Sequence, residues 1–412
     1  MRPEFIVNCA RRVSCWSAIA LGVSIPVSTA LDNVLMVITL AAWALSGQVR
    51  ETGKICFENK TLLYSVLLFG LLTVGTLYGE GPARDALAYL WKYADLLFIP
   101  VFAMVFRERG TRSKALLALA ATIAFTVVLS YLIRFGIFPA TPFTTGMASY
   151  PTVFKWKVTH SILAAFGAFL FAWLGSTAAN RRSRVMWYAL SLLAALNVLL
   201  LVKGATGYVI LGALIILLGW ERVGGRGVAY ALCGLAAFIG VLAIAPNPFQ
   251  ERAFLIRQEI QDWRDDKIPT EPSSSGLRLE AYKNTLGVIA AHPLIGVGTG
   301  GFPLAYARQV RNTGIPETHN PHNEYLNITA QIGIFGLIVL IAMFWQQWRS
   351  AKVLSSPMEQ SLARGLVLTM VTGCMVNSLF LDHTEGLFYA WLSGLLYGGI
   401  KYGVPEKLFA QK

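Results

Sequence analysis

Charge is what this chain has least of. Asp, Glu, Lys and Arg make up 14% of its 412 residues, where soluble domains carry about 25%. With 55% hydrophobic residues and a mean hydropathy of +0.55, that scarcity excludes a soluble multidomain protein. Cysteine is scarce too. Cys9 and Cys56 read as lying on the inner side of a membrane and Cys15, Cys233 and Cys374 within spans. No disulfide and no Cys-x-x-Cys metal site is expected. The first apolar run lacks a small-x-small site followed by polar sequence, so it reads as a retained span and not a leader. Low-complexity tracts are missing, as are the internal repeats that mark many transporters.

What is there instead is a series of apolar runs of about 20 residues, each enough to cross a bilayer as a helix. The class is an all-α integral membrane protein. Twelve spans are read, at 13–29, 32–47, 62–79, 86–106, 114–138, 159–176, 185–202, 205–220, 226–245, 322–347, 361–381 and 384–402. Placing the N-terminus inside puts twenty Lys and Arg in alternate segments on that side, and leaves only Arg84, Lys155, Lys157 and Lys203 in the short outer loops. That bias follows the positive-inside rule. The net charge of +13 then reflects topology and anionic lipid, with no nucleic acid partner. The chain divides into nine membrane helices (1–245), one long outer loop (246–321) and three further membrane helices (322–412).

Long ordered loops are usually functional. In "ERAFLIRQEIQDWRDDK", Ala253, Ile256, Ile260 and Trp263 recur at helical spacing. This suits a helix on the membrane surface or one packed on other loop elements. After the break "IPTEPSSSG", the segment "LRLEAYKNTLGVIAAH" predicts a second helix with Ser274 or Ser275 as N-cap. Arg278 then sits in the first turn, where the helix dipole disfavours a cation; it either serves an anion or is an ordinary solvated arginine. Gly296-x-Gly298-x-x-Gly301 matches a dinucleotide fingerprint in form only, since the motif needs a strand before it where a helix precedes here, and the outer compartment lacks nucleotide. A turn that lets backbones pass close together is the better account.

"THNPHNEYLN" leads into span ten. Asn320 reads as N-cap and Pro321 as first helical residue, with His322 in the first turn. Asn323, Asn327 and Gln331 follow at i, i+4, i+8, a stripe that lines a cavity or a helix–helix contact. A helix N-terminus and nearby arginines keep an imidazole neutral near pH 7, as a general base requires. Three readings stand at this point: a capping histidine, a metal pair of His319 and His322 with Glu324 or Asp382, and a catalytic or substrate-binding histidine.

The sequence from His322-Asn323 through nine residues to Gly333 and Gly336, with "AHPLIGVGTGGF" before it, resembles the O-antigen ligase/polymerase superfamily of bacterial envelope glycosyltransferases. The hydropathy of essentially the whole chain agrees. The resemblance implies a GT-C-type fold and a site facing the periplasm from the bacterial inner membrane. It also implies inverting, metal-independent transfer of a glycan from undecaprenyl diphosphate to a hydroxyl, with no cofactor. In the ligases the acceptor is a sugar of lipid A-core. His322 matches the essential histidine and Arg278 the loop arginine. The family's arginine in a context like "SRTGYL" is replaced here, where "KGATGYVIL" has Ala205 at that place and Lys203 two residues before.

Such a reaction needs fixed cations on the departing diphosphate and a base for the attacking hydroxyl. Arg84, Lys155, Lys157, Lys203 and Arg308 are the outer cations read as binding residues, with His160, His319, Asn323, Tyr325 and Asp382 as further contacts to diphosphate or sugar. Trp156 and Tyr325 suit sugar stacking. Asp382, His383 and Glu385 form a second polar cluster. An O-antigen polymerase is the nearest alternative, a protein-glycosylating ligase comes third, and a secondary transporter is the alternative from another class. Reporter fusions after residue 265 should read as extracytoplasmic; a cytoplasmic signal there overturns the topology and all that follows from it.

Overall fold

Apolar runs without strand-like alternation fold as helices, and the described residues contain no strand. The computed structural model describes residues 3–139, 151–202, 204–242, 248–265, 267 and 275–400. In chain order, α1 (Pro3–Ser24) and α2 (Thr29–Leu45) form a hairpin, and α3 (Val49–Glu58) turns away from α2 by 97°. Next come α4 (Lys60–Gly75), α5 (Ala83–Lys92), α6 (Asp95–Val105), α7 (Arg109–Arg134) and α8 (Lys157–Thr177). After α9 (Arg181–Leu196) a π-helical turn, Asn197–Leu201, leads to α10 (Ala205–Val223) and α11 (Gly225–Leu242). The long loop holds α12 (Pro248–Arg264), α13 (Ser275–Ala291) and α14 (Phe302–Gln309), and α15 (Glu324–Ser350), α16 (Pro357–Gly373) and α17 (His383–Tyr397) follow.

A helix lies on each of the twelve predicted spans, and the chain is a multi-pass membrane protein. By length and apolarity alone, six segments can cross a membrane, with α5 and α6 counted as the single stretch Ala83–Val105, or seven if the bent α2–α3 pair is one span. Several of the others are short: α4 has 16 residues, α16 has 17 and α17 has 15. In α17 the shortness goes with burial inside the bundle. Trp391 is fully buried, donates to the Ala18 carbonyl at 2.7 Å and meets Phe106 edge-on at 5.6 Å. Tyr389 and Tyr397 both donate to Gln347 of α15.

The loop helices pack on one another. Trp263 of α12 donates to Glu280 of α13 at 2.7 Å, and Ile256, Ile260 and Trp263 are half-buried. Ala253 and the neighbouring Phe254 are exposed, so the predicted face is only partly the packed one. The third helix, α14, has no counterpart in the sequence reading; its eight residues are too few for a periodic signal.

α15 is broken. Ile332 (φ −128°) and Gly333 (φ 65°, ψ −164°) leave helical geometry in the middle of the bundle, and a missing turn there strands backbone groups. The glycine turn at 296–301 fills the gap. Val297 N–H donates to Ala330 O at 2.9 Å, Gly298 N–H to Gln331 O at 2.8 Å, and Ile334 N–H to Pro293 O at 3.0 Å. Thr299 ties the turn to α4 through Gly75 O and Leu72 O. Gly298 has φ +84°, and a Cβ there would collide with the Gly79 backbone.

Gly298→Ala should therefore destabilise the protein by about 1–3 kcal/mol, the usual cost of a strained backbone position. Gly110→Ala, in open space near the start of α7, should be neutral or stabilise by about 0.4–1 kcal/mol. Thermal melts of the detergent-solubilised variants check both. Equal melting temperatures for the two would contradict the plug.

Candidate active site

The break in α15 and the plug behind it fix the start of that helix. Asn323, and not Asn320, is the N-cap: its side chain accepts from Leu326 N–H at 3.0 Å and donates to Met375 O at 2.9 Å. His322 consequently stands before the helix and not in its first turn. Asn320 Oδ1 instead accepts the His322 N–H at 2.8 Å, closing a turn around Pro321. The N-cap expectation failed because Asx turns and N-caps share one residue preference. His322 itself has φ +54°, a region non-glycine residues seldom occupy and which costs about 1–3 kcal/mol. Such strain persists where surrounding contacts hold it.

Two tyrosines do the holding. Tyr282 of α13 donates to His322 O at 3.1 Å and to Met375 O at 3.3 Å, while Tyr89 of α5 donates to His319 O. The strap 317–322 is thus pinned to one helix at each end. Arg278 lies one turn before Tyr282 on α13, in the first turn as expected, and the Ser275 N–H that opens α13 is accepted by Glu259 of α12 at 2.7 Å. Burial pulls the His322 imidazole below its ordinary pKa, and the Arg278 guanidinium beside it pushes the same way. His322 is therefore neutral at pH 7 with Arg278 as a cation next to it, an arrangement suited to taking a proton beside an anion.

Glu324 is the residue the sequence reading undervalued. It is fully buried, accepts from Tyr93 O–H at 2.8 Å and from Phe380 N–H at 2.9 Å, and its own N–H donates to Cys374 O at 2.8 Å. It therefore locks the start of α15 to the α5–α6 junction and to the 374–382 segment. Asn327 donates to the same Tyr93 hydroxyl at 2.7 Å, and Gln331 accepts from Gly300 N–H at 3.0 Å. The amide stripe is a packing contact and not a cavity wall.

The remaining predicted residues divide by position. His319 is exposed and borders a cavity of about 430 Å³ together with Asp85, Tyr89, Lys92 and Glu317. Lys155 is turned inward: its ammonium donates to Thr29 and Thr384 and pairs with the buried Asp32 at 3.6 Å. Burial lowers its pKa and Asp32 opposes that. His160 is buried against Asn197 Oδ1 at 3.0 Å. Tyr325 donates to Val371 O at 2.9 Å and lines an apolar cavity of about 310 Å³ with Trp345 and Trp348. Arg308 pairs with Glu80. Arg84 is exposed on α5 and Lys157 opens α8. Asp382 is exposed at the start of α17. Beside it His383 faces Asp95 at 3.8 Å and Glu385 accepts from Thr159 at 2.6 Å. Trp156 is exposed. Lys203 lies outside the described residues. Among the described residues no group of three or more His, Cys, Asp or Glu is arranged to hold a metal ion.

Residues 190–341 match the family model of the O-antigen ligases. That stretch runs from α9 into α15 and takes in Arg278, the glycine turn, His322 and both motif glycines; it supports membership of the O-antigen ligase/polymerase superfamily. No curated protein matches the chain. One solved chain with a similar course belongs to a structure titled "Structural coordination of polymerization and crosslinking by a peptidoglycan synthase complex". It is 14% identical, with 82% of this chain and 96% of that one covered at a TM-score of 0.48, a likeness too slight to carry an argument. Within the O-antigen ligase pattern, Gly333 and Gly336 have steric reasons: a Cβ on Gly333 would meet the Leu294 backbone and one on Gly336 the Ile332 side chain.

Glu324→Ala leaves the Phe380 N–H without its acceptor and should cost about 1–3 kcal/mol, read as a lower melting temperature. Because it also frees the strap, transfer activity should fall further than stability does. Unchanged melting and unchanged activity would remove Glu324 from the site's support.

Proposed function

We propose that this chain is an O-antigen ligase, which moves a polysaccharide from undecaprenyl diphosphate to a sugar hydroxyl of lipid A-core on the periplasmic face of the inner membrane. The observation that carries the reading is the neutral, strained His322 held beside Arg278 within the region that matches the ligase model.

The acceptor hydroxyl approaches His322, whose unprotonated ring nitrogen takes its proton as the oxygen attacks the anomeric carbon of the donor. The carbon–oxygen bond to the diphosphate breaks on the far side, so the anomeric configuration inverts. Undecaprenyl diphosphate leaves with the bonding pair, and the proton on His322 passes to water. Charge accumulates on the diphosphate oxygens as that bond opens. Arg278 meets it with a fixed cation, which is worth most where water is excluded. Gly204, the N-cap of α10, gives no side-chain cap. The N–H groups at that helix start supply further positive potential where the family pattern has an arginine and this chain has Ala205. Asn377 donates to Thr206 at 2.8 Å and keeps that helix start against the segment carrying Met375.

His322→Ala should lower single-turnover transfer by about 10²–10⁴-fold, the usual contribution of a general base, with donor affinity nearly intact. Arg278→Ala should weaken donor binding as well as turnover, because a cation on the diphosphate acts in ground and transition states alike. His319→Ala should be milder than either. The pH profile adds a check with a definite sign. A depressed His322 pKa keeps the base form to lower pH, so the acid limb of the rate should lie below about 6.5. Arg278→Gln removes a charge that disfavours the imidazolium and should move that limb upward. Equal, mild losses at His319 and His322, with no shift of the limb, would make both histidines structural.

A further inference from the structure

We propose that the cavity bordered by Asp85, Tyr89, Lys92, Gly300, Glu317 and His319 binds the sugars of the acceptor, an inference that rests on the ligase reading for the acceptor's identity. The cavity measures about 430 Å³, within the roughly 300–1,000 Å³ of small-molecule sites. Its walls come from α5, from the glycine turn with the start of α14, and from the strap.

The chemistry of the lining is that of a carbohydrate site. Asp85 and Glu317 are acceptor-only carboxylates, suited to the paired hydroxyls along a sugar edge. Tyr89 brings an aromatic ring into the wall, and the Lys92 ammonium lies over that ring, Nζ 5.3 Å from its centroid, as a donor for sugar hydroxyls. Gly81 and Gly300 present bare backbone, with no side chain between the ligand and the wall. Asp85 and Glu317 outnumber the one lysine, Lys92, in the lining, a balance of charge that disfavours the donor's diphosphate.

Position agrees. Tyr89, in the cavity wall, donates to His319 O, and His322 follows three residues later. Three residues of chain span at most roughly 11 Å, so a sugar held in the cavity lies within a ring or two of the base. The lining includes none of Arg278, Tyr282 and His322. Acceptor sugars in the cavity therefore leave the surroundings of Arg278 open to the donor diphosphate.

The test uses the full chain in nanodiscs and, as probe, core oligosaccharide released from lipopolysaccharide of a strain lacking O-antigen. Titration calorimetry should show saturable binding by the wild type, and the Asp85→Asn/Glu317→Gln double variant should bind at least tenfold more weakly while retaining its affinity for the undecaprenyl-linked donor. Ala88→Trp, which fills the cavity from α5, should do the same if the double variant proves unstable. No saturable binding by the wild type, or equal affinity in the variants, overturns the inference. Transfer by the wild type is measured beside it. Binding at the cavity without transfer would sink the ligase reading and leave the cavity assigned; transfer with unchanged acceptor affinity and KM in the variants would do the reverse.

Discussion

The opened turn of α15 leaves the carbonyls of Ala330 and Gln331 without helical partners, and the glycine turn at 296–301 supplies them with the N–H groups of Val297 and Gly298. Unpaired carbonyls inside a membrane bundle would cost several kcal/mol each, so neither half of the joint is stable without the other. This one set of hydrogen bonds ties the long loop to the membrane helices. It brings Thr299 onto α4, sets where α14 starts, and fixes the register in which α13 lies against the beginning of α15. The strap with His319 and His322 is what remains between these anchored parts.

The two glycine clusters that sequence inspection finds separately are thus one structural device. Gly333 adopts a positive φ against Leu294, and Gly298 does so against Gly79. A pattern reader sees His-x9-Gly-x-x-Gly as a signature; sterically it is the distance from His322 to the break in the helix that follows it. His322 is held in a strained conformation at one end and the helix is broken at the other, with Glu324, Tyr93 and Asn327 clamping the stretch between. Strain at His322 is sustained by that clamp and by Tyr282.

The helices were legible because apolar length is a strong signal: every predicted span has a helix on it. Arg278 and His322 stand out in the sequence because each is an oddity in its local pattern, a cation at a helix N-terminus and a histidine at a membrane mouth, and the structure sets them side by side. Other features were hidden by distance in sequence. Nothing near Lys155 announces that Asp32, far earlier in the chain, will take its charge into the bundle. Tyr89 and Tyr282 look like ordinary interfacial aromatics until the strap lies across their hydroxyls. Glu324 was weighed only as a metal ligand because its buried partners, Tyr93 and Phe380, are distant in sequence, and Asn320 was misassigned because an Asx turn and a helix cap ask for the same side chain. The number of membrane crossings needs more than hydropathy, since short helices such as α17 are buried among others.

The central claim is that this site joins a finished polysaccharide to lipid A-core through His322. The most direct measurement is the lipopolysaccharide profile of a strain deleted for this gene and complemented with the wild type or with His322→Ala. The account predicts that the wild type restores O-antigen-capped lipopolysaccharide, whereas the deletion and the His322→Ala strain lack every capped species and accumulate undecaprenyl-linked polymer. Survival of single-repeat caps in the deletion strain would contradict it and make the chain a polymerase.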